Sequence, residues 1–537
     1  MADRLAGIQV QEEAGSEQAI AESPTAVTAF VGRCLRGPVN RPVRVASFAD
    51  YQHVFGGLWQ PSTLGYAVEQ FFENGGRTAI VVRVANDARC CTLQLPAGDA
   101  ALELQALAPG TREFLRAAVD YDGIGDNEED RFNLVLQRVR TPGSEHIEDQ
   151  EIYRRLSVRP QAARFVTPVI AESQLARVVG EVPPVRPSPT PRGDPRGLAG
   201  YVVSNPDGDD GGPLTDYDVI GSAAQGTGLF ALDAVDTFNL LCIPPLTRDI
   251  DVGPSTLLVA NRYCRERRAL LFVDPPLAWD TAAKALAAMR DWVLPSDSAC
   301  MYFPRLLAYD KLRGRFEAFA PCGAVSGTLS RAAENWPVWS AAYGEDSVLR
   351  PGLRPMCAVD DESRARLAIC GVNTVQTVRR PGRETPVART LAGPGAAAAD
   401  WRSLPARRLA LMIIDSVERG TRWMLFEPNE PPSWRRATAQ VGAFLADLEE
   451  RGAFAHHEAG QRWFVLCDER VNRDRQRERG IVRLMFGFAA TRPGEFHAYL
   501  VSHRAGGSRV RAVSPNLPGL AGAGAPELPE DLDLQLA

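Results

Sequence analysis

The sequence has almost no lysine and few histidines. Lysine occurs only at Lys284 and Lys311, so nearly all of the 60 basic residues are arginine. Arginine makes planar, always-charged contacts that suit protein–protein interfaces, although a GC-rich genome explains this usage more simply. The six histidines leave the stretch from 147 to 455 without any. This region therefore cannot supply a Ser-His-Asp triad from its own residues.

Long apolar runs are also missing. No stretch has the 18 or so consecutive apolar residues that indicate a membrane-spanning helix, so we expect no membrane insertion. The opening residues, MADRLAGIQVQEEAGSEQ, lack the apolar segment of a secretory signal, and we expect the chain to fold in the cytoplasm. The net charge of −6 argues against nucleic-acid binding, which favours a basic surface.

The ten cysteines include no CxxC pair. Most lie in apolar runs such as LLCIPPL, LAICGV and FVLCDE, where a free thiol behaves as a small hydrophobic group. Reduced, buried cysteines are therefore expected in place of disulfides or a zinc site.

Motifs for nucleotides, metals and nucleophilic catalysis are absent or incomplete. Gly221–Thr227 resembles a phosphate-binding loop but has threonine where lysine is required, and GxGxxG after a strand and GxSxG are both missing. The pair His456 and His457 with Glu458 has no further ligand at a suitable spacing. The acidic loop 120–130 lacks the glycine and closing glutamate of a calcium-binding hand. We expect no cofactor, no metal and no enzymatic activity.

Hydrophobic periodicity predicts a multidomain α/β protein. Residues 25–87 have the pattern of a β-α-α-β unit, and residues 200–390 alternate strands with helices, which predicts a mostly parallel sheet. Within this second range, ACMYFPRLLAYD is expected to be one strand. Residues 88–199 between them are predicted to be a smaller β-rich module with a proline-rich linker. Residues 400–513 are predicted to form another α/β unit, in which MIIDSVERGTRWMLFEPN ends in a strand.

The two ends of the chain have features of intermolecular contact. Residues 1–24 are polar except for a few aliphatic positions, and residues 5–10 indicate a short strand with no partner nearby. Such a strand is either disordered or donated to another sheet. Near the other end, residues 495–503 alternate cleanly between two faces, as a strand does. The remaining residues, 514–537, are rich in proline, glycine and acidic residues and are expected to be flexible.

Several blocks of the sequence occur in an order typical of one protein family. They are TAVTAFVGRCLRGPVNRPVRVASFADYQHVFGGLW, LGYAVEQFFENGGRTAIVVRVA, GLFALDAVDTFNLLCIPP, RRALLFVDPP, LAICGVNTVQTVR, RGTRWMLFEPNEPPSW, GAFLADLEERGAF, RWFVLCDE and RPGEFHAYL. Together they cover most of the chain and resemble the contractile tail sheath proteins of phages and contractile injection systems. Residues 88–195 match this family less well and have the character of a lineage-specific outer module.

The resemblance implies a fold and a function. The fold would combine a subtilisin-like α/β core, a C-terminal α/β sheath domain and a β-rich outer insertion. The function would be that of a structural subunit, which polymerises as stacked hexameric rings around an inner tube and contracts to drive the tube through a target envelope. Its partners would be copies of itself, the tube protein, baseplate and cap proteins and, in some systems, sheath paralogues. It would be assembled in the cytoplasm, as part of a phage tail or a released extracellular particle.

The resemblance also implies roles for the chain ends. An N-terminal arm and a C-terminal strand would each add to the last domain of a neighbouring subunit. The inter-subunit strand linkers would be Leu5, Ile8, Val10, Phe496, Ala498 and Leu500. Polar residues around the last-domain helix are candidates for facing the tube, with a solvated helix face as an equal alternative; they are Arg435, Arg436, Asp447, Glu449, Glu450 and Arg451.

Two other classes of protein are alternatives. A capsid-like shell protein would also self-assemble, but it does not account for the order of the sheath blocks. A subtilisin-like hydrolase would need a histidine in the central unit, which has none. The subtilisin-like name describes a fold, and a fold alone does not determine activity.

Overall fold

The computed structural model of the chain describes residues 19–141, 143–191, 200–292, 294–340, 346, 348–375, 388–393, 400–455, 462–492 and 496–513. Contacts divide the chain into two compact units. Unit 1 comprises Met1–Thr25, Trp336–Ala341 and Glu384–Ala537, and unit 2 comprises Ala26–Asn335 and Ala342–Arg383. The finer domain boundaries given above remain predictions.

The regular elements of the described residues are as follows. The helices are α1 (Phe48–Phe55), α2 (Leu64–Glu73), α3 (Val166–Ile170), α4 (Asp216–Ile220), α5 (Pro254–Arg267), α6 (Ala282–Ala288), α7 (Cys322–Asn335), α8 (Asp361–Ile369), α9 (Leu404–Gly420), α10 (Pro431–Glu450) and α11 (Asp474–Glu478). Short 3₁₀ helices are Gly228–Ala234, Met289–Asp291, Asp400–Arg402 and Arg422–Phe426. The strands are β1 (Thr28–Gly32), β2 (Val43–Val45), β3 (Ala79–Arg83), β4 (Cys90–Ala97), β5 (Ala100–Pro109), β6 (Phe114–Asp120), β7 (Arg131–Val139), β8 (Ile147–Ser157), β9 (Ala176–Val179), β10 (Val202–Val203), β11 (Leu240–Cys242), β12 (Leu270–Val273), β13 (Ala299–Phe303), β14 (Leu306–Asp310), β15 (Arg315–Phe319), β16 (Arg354–Pro355), β17 (Val372–Thr374), β18 (Trp463–Leu466), β19 (Val482–Phe488), β20 (His497–Arg504) and β21 (Gly507–Val513).

Unit 2 is built on a mixed sheet in the order β17-β13-β12-β11-β1-β3-β2. All neighbours in this sheet are parallel except β2 and β3. Strands β1 and β3 are buried along their whole length, as expected where both faces of a parallel sheet are covered. The mixed α/β class predicted from the sequence is confirmed, and the β-α-α-β unit joins the same sheet as the later strands.

Residues 88–199 contribute antiparallel strands to unit 2. One sheet has the order β10-β6-β7-β8 and another has the order β4-β5-β9. Their buried aliphatic side chains form one shared core that includes Leu104, Leu134 and the ring of Phe132. The sequence indicated β4, β5 and β7, whereas β6, β8 and β9 were not predicted.

Two element predictions are wrong. ACMYFPRLLAYD forms two strands, β13 and β14, which lie in different sheets; a proline between them has no amide hydrogen to donate to a strand ladder. The segment expected to end in a strand is instead α9 followed by the 3₁₀ helix Arg422–Phe426. In α9 the buried residues Leu409, Ile413 and Val417 recur every four positions, and this helical spacing outweighs the short apolar run WMLF.

Unit 1 combines the antiparallel sheet β18-β19-β20-β21 with helices α9 and α10. Ser403 begins α9, where its hydroxyl accepts a hydrogen bond from the amide of Ala406, and prolines occupy the first turn of both helices. The buried face of α10 includes Val441, Leu445 and Leu448. These side chains form one core with strand residues of β19 and β20, so the helices cover one face of this sheet.

Candidate functional site

A cavity of about 270 Å³ lies in unit 2 at the carboxyl ends of β11 and β12, the edge where parallel sheets commonly bind ligands. Its lining is mostly apolar, with Asp251 and Asp274 as the charged residues. Burial raises the pKa of Asp274 to about 6, and its Oδ1 accepts a hydrogen bond from the amide of Cys322 at 3.0 Å. Because no histidine occurs between 147 and 455, Asp274 lacks a histidine partner from this stretch of the chain.

Polar groups in the other candidate motifs of unit 2 form hydrogen bonds within the chain. In the turn Gly221–Thr227, the amide of Ser222 donates a hydrogen bond to Thr227 Oγ1. The amide of Gly228, directly after the turn, donates to Asn40 Oδ1. In the acidic loop, Asp120 accepts from the side chain of Asn133 at 2.6 Å.

No metal-binding cluster was found in the part of the chain that the structure describes. A search of those residues gives no group of three or more His, Cys, Asp or Glu suited to holding a metal ion. His456, His457 and Glu458 lie outside the described residues.

A search for membrane-spanning helices was also negative. Within the described ranges, no helix is long and apolar enough to cross a bilayer.

Among the described residues, the sheet of unit 1 has two edge strands, β18 and β21, with β19 and β20 between them. Strand β20 pairs with β19 over seven residues and with β21 over seven residues. The alternating strand singled out from the sequence is therefore an interior strand of its own subunit. The edge strand next to it is β21, which the sequence pattern did not reveal because its glycine, serine and arginine residues leave little apolar alternation.

The predicted strand-linker residues at this end are buried within unit 1. Phe496, Ala498 and Leu500 form a cluster with side chains of β18 and β19, and the ring of Phe496 lies edge-on to that of Phe464 at 5.7 Å between centroids. Their predicted common face is thus observed, and its partners lie in the same chain.

The other three predicted linkers belong to the N-terminal arm. Leu5, Ile8 and Val10 lie outside the described residues. Their role as a donated strand stays a prediction.

The six residues proposed to face a tube lie on or beside α10, and four of them already have intramolecular partners. The guanidinium of Arg436 stacks on Trp423 at 4.4 Å, and Glu449 accepts from the indole of Trp463 at 2.7 Å. Asp447 pairs with Arg451 at 3.0 Å. Arg435 and Glu450 are exposed.

His503 links three elements of unit 1 at the end of β20. Its Nε2 lies 2.8 Å from Thr421 Oγ1, and its Nδ1 lies 2.6 Å from Ser508 Oγ. The hydroxyl of Thr421 donates to the carbonyl of Val417, so it accepts from Nε2–H, and Nδ1 accepts from Ser508. Burial lowers the pKa of His503 to about 4, which keeps the ring neutral.

Phe426 is a surface feature that the sequence analysis missed. It ends the 3₁₀ helix after α9, and 89% of its surface is exposed. The preceding residues of the helix include the buried Met424, so the apolar run predicted to be a strand is in fact split between core and surface.

Comparisons with known proteins were made by sequence and by structure. No family model and no curated protein matches the sequence. The sheath tail protein of Listeria innocua matches by structure with a TM-score of 0.56 at 12% identity, covering 93% of this chain and 97% of that one. The sheath complex of the extracellular contractile injection system PVC, in its contracted state, matches with a TM-score of 0.52 at 17% identity, covering 92% and 96%.

This chain has the tail sheath fold. The likeness extends to a chain of the baseplate of the anti-feeding prophage, with a TM-score of 0.51 at 16% identity and coverage of 92% of this chain and 97% of that one. The similarity to sheath proteins noted in the sequence is thereby confirmed at the level of fold. Because more than nine tenths of each chain is included, the sheath fold accounts for both units.

Proposed function

We propose that this chain is the structural subunit of a contractile sheath, which assembles as hexameric rings around an inner tube and contracts to drive that tube forward. The observation that carries the proposal is the sheath fold over 92–93% of the chain. Two of the similar solved structures are described as sheath proteins, and a third belongs to the baseplate of the anti-feeding prophage. The subtilisin-like core is proposed here only as a scaffold, with no catalytic role.

Strand addition is the proposed link between subunits. A sheet edge presents unpaired backbone groups that a further strand can satisfy, and β18 and β21 are the edges of the last-domain sheet. We propose that the arm strand 5–10 of one subunit pairs at such an edge of its neighbour. The C-terminal link was predicted for residues 495–503. Because β20 is already paired on both sides, we propose that β21 forms this link instead.

Contraction would be driven by burial of surface between subunits. Each 100 Å² or so of additional apolar area removed from water contributes about 2.5 kcal/mol. Such gains add up over the many subunits of a sheath, so no nucleotide has to be consumed. Exposed polar residues such as Arg435 and Glu450 suit a contact with the tube that must later be released.

Truncation of each end tests the proposal. Deleting residues 1–12 removes the proposed arm strand but none of the described residues, so we expect a folded subunit that no longer forms cylinders. Deleting residues 515–537 removes a longer segment from the other end and serves as the control, which should still assemble. Electron microscopy of the purified proteins distinguishes hollow striated cylinders from other particles.

Other outcomes would contradict specific parts of the proposal. Cylinders formed without residues 1–12 would refute strand donation by the arm. Closed shells from the full chain would favour a capsid-like protein instead of a sheath. Loss of assembly after removal of residues 515–537 would assign that segment a role in the polymer.

A further inference from the structure

The first described residues of the chain lie along a helix of their own unit. Ile20 packs against Gly420 at the end of α9, and the amide of Ser23 donates to the hydroxyl of Ser416 at 2.8 Å. Further along, the carbonyl of Thr25 accepts from the guanidinium of Arg408 at 3.1 Å. The segment 20–25 therefore runs antiparallel to α9 and contacts it at three successive levels.

The dimensions of the two elements agree with this arrangement. The five steps of extended chain from residue 20 to residue 25 span about 17 Å. The twelve helical steps from Arg408 to Gly420 rise about 18 Å. The segment is thus held nearly straight along the helix, and residue 19 leaves at the Gly420 end of α9.

A glycine makes the closest of these contacts possible. A Cβ atom at position 420 would lie 2.8 Å from Cγ1 and 3.0 Å from Cγ2 of Ile20. Real Cβ atoms are not found so close to carbon, and the β-branched side chain of isoleucine has little freedom to move. Ile20 is itself buried, and it belongs to the same core as α9 and α10.

A second contact holds the segment at the end of α10. The carboxylate of Glu22 pairs with the guanidinium of Arg451, which also pairs with Asp447 and stacks on Trp339 at 5.3 Å from the ring centre. The hydrogen bond that the guanidinium of Arg451 donates to Glu22 is the main reason that the pKa of Arg451 is raised. Arg451, a candidate for a tube contact, thus binds the chain segment from which the arm continues.

We propose that residues 19–25 form an anchor that fixes the exit point of the N-terminal arm on its own last domain. This inference rests on the proposed function and limits the distance between the anchor and the sheet edge that receives the arm strand. Between Val10, the last residue of the proposed arm strand, and Ala19, the fully extended chain spans at most about 30 Å. The sheet edge that receives the strand must therefore lie within that distance of the Gly420 end of α9, in the extended and the contracted sheath alike.

The anchor can be released without touching the arm. Gly420→Ala places a methyl group where Ile20 packs, and Ile20→Ala removes the apolar side chain that is buried there. The double variant Ile20→Ala/Gly420→Ala has no clash, because the smaller alanine side chain leaves room for the new methyl group. Its segment 19–25 should therefore bind α9 more tightly than the segment of the Gly420→Ala variant does. Gly442→Ala is the matched control, since a Cβ at that position of α10 meets Trp463 at an ordinary 3.5 Å and alanine favours a helix.

Hydrogen exchange of the isolated subunit gives the first readout. Burial of one aliphatic side chain stabilises a contact enough to change its opening equilibrium about tenfold or more. The Ser23 amide should therefore exchange at least about tenfold faster in Gly420→Ala and in Ile20→Ala than in the Gly442→Ala control. Unchanged exchange in both anchor variants would overturn the anchor itself, whatever the protein assembles into.

Assembly gives the second readout. If releasing the anchor prevents the arm from reaching its neighbour, the anchor variants should form fewer and shorter cylinders than the control, although residues 1–18 are intact. Normal cylinders from a subunit with a released anchor would overturn the distance limit. Failure of the unmodified chain to form cylinders would refute the proposed function and with it the distance limit, while the exchange measurement would still decide whether the anchor exists.

Discussion

One ion pair of unit 2 and one ion pair of unit 1 differ in how deeply they are buried and in what they join. In unit 2, Arg248 and Asp310 pair with side chains that are 7% and 0% exposed, and they join the segment after β11 to the end of β14. In unit 1, Arg451 and Glu22 pair with side chains that are 41% and 42% exposed, and they join the start of the described chain to α10. The Arg248–Asp310 pair therefore places charge inside a scaffold, whereas the Arg451–Glu22 pair lies at the surface and positions a segment that leaves the domain.

Removing the buried acid of unit 2 should have the largest effect on stability. Asp310 Oδ2 lies 2.5 Å from Arg248, and its Oδ1 accepts from the hydroxyl of Tyr66 at 3.1 Å. Asp310→Ala leaves the guanidinium with Glu317 as its remaining acidic partner. Breaking a buried pair costs about 3–5 kcal/mol, and we expect a loss of about 3 kcal/mol because Glu317 remains.

Calorimetry or denaturant unfolding measures this loss. Lys284→Ala is the control, because Lys284 pairs with Asp280 at the surface and such pairs contribute at most about 1 kcal/mol. If the two variants lost the same small amount, the contrast between the buried and exposed charges of the chain would fail.

Burial also explains which elements could be predicted from the sequence. Buried strands such as β1 and β3 are continuous apolar runs, and α10 repeats its apolar residues with helical spacing, so the α/β class and these elements were predictable. Strand β21 was not, since an edge strand needs no apolar face. The contact of Ile20 with Gly420 joins residues 400 positions apart, and no local pattern records such a pairing.

For a related reason, the sequence pattern alone could not assign the partner of the predicted linker strand. Alternation in residues 495–503 correctly indicates a strand with two distinct faces. It cannot tell whether the partners of Phe496 and Leu500 belong to the same subunit or to a neighbour. Only the strand register, with β20 paired on both sides, separates the two cases.

Acid should weaken unit 1 through His503. The ring is buried and neutral, with a pKa lowered to about 4 from an ordinary value of 6.5; the nearby Glu418 raises this pKa and Arg422 lowers it. Because the folded pKa is the lower one, the stabilisation is fully present above pH 6.5 and is lost as the pH falls from 6.5 to 4. The total loss is roughly 3 kcal/mol.

A histidine variant separates this effect from general acid unfolding. His503→Gln keeps a donor and an acceptor but does not titrate, so its unfolding free energy should depend less steeply on pH between 6.5 and 4 than that of the unmodified chain. Carboxylates elsewhere contribute equally to both proteins. Parallel pH profiles for the two proteins would show that His503 is not the titrating group.

The smallest expected effect is that of the exposed pair in unit 1. A double-mutant cycle with Glu22→Gln and Arg451→Gln should give a coupling energy of about 0.2–1 kcal/mol, and added salt should reduce it because both side chains are open to solvent. A coupling as large as that expected for Arg248 and Asp310, or one insensitive to salt, would place this pair in the same class as the buried charges. The comparison predicts instead that the pair adds little to the stability of unit 1 and mainly fixes the path of the chain toward the N-terminal arm. Glu22 lies between Ile20 and Ser23, so its contact with Arg451 beside α10 determines where the arm leaves the domain.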